Sequence, residues 1–136
     1  MASKTFLLEI VTPEKAVLSQ EVESIVVPAH EGYLGVLAGH APLLSTLKPG
    51  EITIRSGHEE FHYCTTGGFM EATPKKVTIL SESAERVDQI DVKRAEEALQ
   101  RAKERLAAAD KTVDKERARA ALARAEARLR IARKPR

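Results

Sequence analysis

Apolar residues follow two different rhythms along this chain. Over the first half they gather in short runs: "TFLLEIVTP", "VESIVVPAH", "GEITIRSG", "EEFHYCTTG", "GFMEAT" and "KKVTILS". The runs are rich in Val, Ile, Thr and Phe and are bounded by turn sequences such as "TPEK", "KPGE" and "ATPKK", which is the pattern of strands. With no long helical pattern among them, they predict an antiparallel sandwich or barrel. From about residue 88 the apolar positions recur at steps of three and four. Ala95, Ala98, Leu99, Ala102 and Leu106 make one stripe, and Ala118, Leu122, Ala125, Leu129 and Ala132 make a second. The residues around them are mainly Ala, Arg, Glu and Lys, all strong helix formers. The polar stretch "AADKTVDK" separates the stripes, so two antiparallel helices joined by a short connection are expected. Asp88 or Asp91 can cap the first helix, and Asp110, Thr112 or Asp114 the second. The expected class is therefore α+β, with strands over residues 1–86 and a two-helix hairpin over residues 87–136.

The two seams are mostly alanine, which lets helices approach closely but buries little area. At about 25 cal/mol per Å² such a seam contributes only a few kcal/mol. The hairpin is thus expected to be marginal by itself. Charge follows the same division. Residues 1–85 hold 6 Lys+Arg against 11 Asp+Glu, a balance of −5, and residues 86–136 hold 16 against 9, a balance of +7. The overall value of +2 hides an acidic half and a basic half that suits an acidic partner. A single cysteine, Cys64, rules out an internal disulfide and fits a reducing compartment. The start "MASKTFLLEI" does not read as a secretory signal, and no run approaches the roughly 20 apolar residues of a membrane span.

Few residues invite catalytic chemistry. His58, His62 and Cys64 suggest a metal, but residues four apart on a strand are roughly 13 Å from each other along the chain, too far for one zinc. No Ser/His/Asp or Cys/His order stands out, and His40 in "GHAPL" reads as a loop-structuring residue. The segment "EGYLGVLAGHAPLL", residues 31–44, reads as an irregular loop in which Gly32, Gly35 and Gly39 allow tight turns. It contains no GxxxxGK[ST] phosphate loop.

That loop, together with "TTGGFMEATPKKVTILSESAE" and "IDVKRA", resembles the epsilon subunit of the rotary F-type ATP synthase. The likeness runs from "VTPEK" to the C-terminal helices, nearly the whole chain. The resemblance implies a flattened antiparallel β-sandwich of about ten strands followed by an antiparallel two-helix hairpin. It implies a non-catalytic central-stalk subunit that binds the gamma subunit and rests on the membrane c-ring. It places that subunit peripherally, on the cytoplasmic face of the bacterial plasma membrane. The helices reach towards the catalytic alpha and beta subunits and restrain ATP hydrolysis. "IDVKRA" is similar to the Bacillus-like form, whose hairpin binds ATP as a regulatory ligand. No metal is implied.

Geometry bears on that ligand. Arg94, Arg101 and Arg105 fall within a stripe about 40° wide on an ideal helix, with Asp91 about 60° from Arg94. Arg117, Arg124 and Arg128 repeat the spacing. An antiparallel hairpin can offer both arginine rows to one polyanion, because guanidinium forks suit phosphate oxygens. Ordinary pairing of Glu97 with Arg101, four residues apart, explains part of the same pattern. The motif Ile-Asp-x-x-Arg-Ala is matched by Ile90, Asp91, Arg94 and Ala95, and the resemblance implies that Glu85, Arg101, Arg124 and Arg128 also lie near the nucleotide. The alternative from a different class is a nucleic-acid binder using the basic helices. The helices lack aromatic residues for base stacking, and the first half is acidic, so nucleic acid is not expected as a partner.

Overall fold

In a computed structural model, residues 4–108, 112 and 114–135 are described. The chain divides into two compact units, Met1–Val87 and Asp88–Arg136.

The first unit is built from ten strands: β1 (Phe6–Val11), β2 (Ala16–Val22), β3 (Ser24–Ala29), β4 (Gly32–Leu37), β5 (Leu43–Leu47), β6 (Gly50–Ser56), β7 (Glu59–Thr65), β8 (Gly68–Ala72), β9 (Lys76–Ser81) and β10 (Ala84–Arg86). Their hydrogen-bonded order is β10-β7-β6-β3-β5-β8-β9-β1-β2, with β4 paired on β3. All pairs are antiparallel except β1 with β9, where Leu8 lies beside Val77 and Ile10 beside Ile79. The far end returns towards β6: the Glu23 amide donates to the Arg55 carbonyl at 2.8 Å, and Gln20 reaches Ser56 at 3.3 Å. Alternation then sets the core. Phe6, Leu8 and Ile10 point inward from β1, Ile52 and Ile54 from β6, and Met70 and Ile79 from β8 and β9, all buried.

Four strands escape the run-by-run reading. β2 breaks from β3 at Glu23, so "VESIVVPAH" is the end of one strand and the start of another. β5 and β10 are short. The supposed irregular loop at 31–44 is mostly regular: β4 occupies Gly32–Leu37 as a hairpin with β3, and β5 begins at Leu43. β4 carries two glycines and exposes alternate residues, so it lacks the β-branched density that marks a strand in sequence. Gly32 has φ +136° and Gly39 φ +81°, whereas Gly35 sits within the strand opposite Val26.

The second unit contains α1 (Val92–Ala107) and α2 (Lys115–Arg133). Asp91 and Asp114 are the N-caps, each accepting the amide three residues on, Arg94 and Arg117 respectively, at 3.1 Å. Of the other cap candidates, Asp88 lies in a preceding 3-10 turn (Val87–Gln89), Thr112 is in the turn, and Asp110 lies outside the described residues. The helices are antiparallel neighbours: Arg133 near the end of α2 pairs with Glu96 near the start of α1. Ala95 and Ala102 of α1, and Ala118, Ala125 and Leu129 of α2, are buried; Leu99, Leu106 and Leu122 are only half-buried.

Candidate functional site

Both helices begin with the same device. Ile90-Asp91-Val92-Lys93-Arg94-Ala95 is answered by Val113-Asp114-Lys115-Glu116-Arg117-Ala118. The two cap residues have nearly identical backbones, φ −81°, ψ 99° at Asp91 and φ −79°, ψ 101° at Asp114. In each copy the alanine amide also donates to the aspartate carbonyl, at 3.1 and 3.0 Å, and that alanine is buried. Half of the Ile-Asp-x-x-Arg-Ala pattern is therefore the chemistry of starting a helix against an alanine seam. Helix geometry leaves unexplained the half-buried Ile90 and the guanidinium of Arg94.

The arginines fall on one face. In α1, Arg94, Arg101 and Arg105 lie about 100° to one side of the Ala95–Ala102 seam; in α2, Arg117, Arg124 and Arg128 lie about 100° to the same rotational side of Ala118–Ala125. Because the helices are antiparallel, equal rotations place both rows on the same broad face of the hairpin. Arg101 is roughly level with Arg128 and Arg105 with Arg124, with Arg94 and Arg117 at opposite ends. The three arginines of α1 are exposed, and Arg124 and Arg128 are half-buried. The expected Glu97–Arg101 pair does not form: among the described residues neither makes an ion pair. The Glu96–Arg133 pair forms instead. Of the residues singled out in sequence, the hairpin thus holds Ile90, Asp91, Arg94, Ala95, Arg101, Arg124 and Arg128, while Glu85 belongs to the sandwich unit.

Glu85 is set by a polar knot. Ser81 Oγ lies 2.7 Å from Thr65 Oγ1, 2.7 Å from the Ser83 carbonyl and 3.1 Å from the Gly67 carbonyl. Carbonyls only accept, so Ser81 donates to them and Thr65 donates to Ser81. The Gly67 amide closes the ring on Thr65 Oγ1 at 3.0 Å. The knot requires close backbone approach, since a Cβ on Gly68 would meet the Leu80 carbonyl oxygen at 2.0 Å. β10 then starts beside β7, with Glu85 opposite Cys64, and the Arg86 guanidinium sits 5.0 Å from the Phe61 ring centroid. Cys64 also pairs with Glu51 of β6, whose carboxylate meets His62 Nδ1 at 2.9 Å. Among the described residues no group of three His, Cys, Asp or Glu is arranged to hold a metal ion.

The sandwich carries a second kind of surface, which sequence reading missed. Leu44, Phe69 and Leu80 are 71%, 55% and 52% exposed and lie on one face of β5-β8-β9, with Phe69 directly opposite Leu80. Val26, Tyr33 and Leu37 form another exposed apolar group on β3-β4. Tyr33, Leu37 and Leu44 all come from the segment 31–44. The signal lay in the alternation within that segment, once it is read as strand. No helix among the described residues is long and apolar enough to cross a membrane.

A strand sandwich with apolar outer strips, followed by a hairpin with one cationic face, defines a class: a docking module carrying a charged helical arm. The comparisons with known proteins make it specific. Residues 5–87 match the ATP synthase delta/epsilon chain β-sandwich domain, and residues 88–133 match the long alpha-helix domain of the same family. The ATP synthase epsilon chain of Pelotomaculum thermopropionicum is 50% identical over 107 residues, covering 79% of this chain and 80% of that one. The epsilon chain of Desulforamulus reducens is 45% identical over 112 residues, covering 82% and 85%. A chain in the Euglena gracilis mitochondrial ATP synthase structure comprising OSCP, F1 and c-ring superimposes with TM-score 0.77 at 26% identity, over 90% of this chain and 78% of that chain. A chain in the Tetrahymena thermophila mitochondrial ATP synthase central stalk/c-ring structure, 18% identical, shares the fold with TM-score 0.65 over 97% of this chain and 99% of that chain. This chain belongs to the delta/epsilon chain family of ATP synthase, as an epsilon subunit of the F-type central stalk, and it is a non-catalytic member of the complex.

Proposed function

We propose that the helical hairpin is a regulatory switch that binds ATP when closed and restrains ATP hydrolysis when released. The observation that carries this reading is the single broad face that gathers Arg94, Arg101, Arg105, Arg117, Arg124 and Arg128 from both helices. Like charges held about 10 Å apart repel by about 0.4 kcal/mol per pair even in water. A triphosphate relieves that repulsion and accepts paired guanidinium hydrogen bonds. Arg94, Arg101, Arg124 and Arg128 meet the phosphates, Ile90 lies against the base, and Asp91 accepts from the adenine amino group or ribose hydroxyls. When nucleotide leaves, the same cationic face is free to meet an acidic segment of a catalytic beta subunit.

The sandwich supplies attachment. Its exposed apolar strips at Leu44, Phe69 and Leu80 and at Val26, Tyr33 and Leu37 suit protein partners, here the gamma subunit and the c-ring, since such patches mark contact surfaces. In this role the chain couples rotation between the catalytic head and the membrane ring during proton translocation. It is peripheral at the cytoplasmic face of the bacterial plasma membrane, touching the membrane only through the complex.

The nucleotide reading is tested by titrating the isolated protein with ATP and following hairpin amide shifts by NMR. Saturable shifts that weaken in Arg94→Ala are expected. The absence of any saturable shift at millimolar ATP would reject nucleotide binding and leave the docking role standing.

A further inference from the structure

The end of α1 lacks the usual means of finishing a helix. No glycine follows Gly68 in the chain, and the C-cap Ala108 is extended at φ −66°, ψ 135°. The glycine-based capping that satisfies terminal carbonyls is therefore not available. Lys115, the first residue of α2, takes that place. Its half-buried ammonium donates to the carbonyls of Leu106 at 2.8 Å, Arg105 at 3.3 Å and Ala108. A cation there also faces the negative end of the α1 dipole.

This contact competes with an alternative structure. The sequence "RLAAA" leading out of α1 consists of strong helix formers, so the helix can propagate past Ala108. Propagation would give these same carbonyls to backbone amides four residues on and fill the volume the ammonium occupies. The bent and straight forms thus exclude each other at Lys115. The seam between the helices is largely alanine, and at the other end the exposed Glu96–Arg133 pair joins them. We propose that Lys115 is the latch of the hairpin, holding the bent form by capping α1 in place of the next helical turn. Its regulatory meaning rests on the hairpin being a switch, as read above; the latch itself does not.

The test uses the full chain in a Cys64→Ala background, with spin labels at Lys103→Cys and Glu126→Cys, both exposed and away from the arginine face. Distances are measured without nucleotide or partners, so a failure of ATP to bind leaves the outcome unaffected. The unmutated latch is expected to give one short distance. Lys115→Met is expected to add a component near ~35 Å, the span of a straight helix between the labels. The closed-to-open ratio should fall about tenfold, the loss of a charge-assisted cap. Lys115→Arg, which keeps the charge, should retain most of the short distance, and Arg133→Gln should change the ratio only about two- to threefold. An unchanged distribution in Lys115→Met overturns the proposal, as does Lys115→Arg opening as fully as Lys115→Met.

Discussion

Asp91 shows at the scale of a residue how one motif can serve two ends. Its carboxylate accepts the Arg94 amide, as Asp114 accepts that of Arg117. Removing the cap by Asp91→Ala should cost about 1 kcal/mol of hairpin stability. Asparagine caps equally well, so Asp91→Asn separates the roles. Expected is a hairpin of native helicity by circular dichroism whose ATP affinity falls severalfold by calorimetry. Full affinity in that variant would reduce Asp91 to a cap. Gly68 makes a firmer case. At φ +150° with the Leu80 carbonyl in the way, Gly68→Ala adds backbone strain of about 1–3 kcal/mol to a direct clash. A fall of at least ~10 °C in the sandwich melting temperature is expected from a loss of this size.

Among the elements, the alanine seam decides how easily the hairpin changes state. Ala102 and Ala125 are buried where the helices come close. Enlarging one of them, as in Ala102→Leu, overpacks the seam and should cost about 1–3 kcal/mol. Lower hairpin protection in hydrogen exchange, with β1 and β9 amides unchanged, is the expected result. Of the stripes read from spacing, Ala95, Ala102, Ala118, Ala125 and Leu129 are buried, and Ala98, Leu99, Leu106, Leu122 and Ala132 are half-buried. Ala127 and Ile131, also buried, were not legible, because they lie well over 100° from that stripe on an ideal helix. β4 was illegible for a related reason: two glycines and exposed apolar residues make a strand look like a loop.

For the whole molecule, the division of labour between two units leads to two separable losses. Deleting residues 89–136 should leave a folded sandwich that still assembles, because β1–β10 hold the sandwich core. If the hairpin restrains hydrolysis, the reassembled enzyme should hydrolyse ATP severalfold faster, with synthesis retained. An unchanged rate would remove the inhibitory role. Phe69→Ser should do the converse, weakening assembly while leaving ATP binding by the hairpin intact. Burying a side chain of this size contributes about 1.5–3 kcal/mol, so affinity for the partner should fall at least tenfold in a pull-down or calorimetric titration.

Periodicity and charge by themselves determined the two-part organisation, the helix seams, the short lists of candidate caps and the angular rows of arginines, because these depend on neighbours within one turn of the chain. The family signature in "EGYLGVLAGHAPLL" and "IDVKRA" was readable too, although its reasons were not. Tertiary structure alone decided that β1 runs parallel to β9, that Thr65, Ser81 and Gly67 knot together ahead of Glu85, and that Lys115 caps a helix other than its own. Each of these joins groups that only folding brings within a few ångströms. Hydrogen bonds and carbonyl ends are satisfied by whatever the fold places beside them, and spacing along the chain carries no record of that.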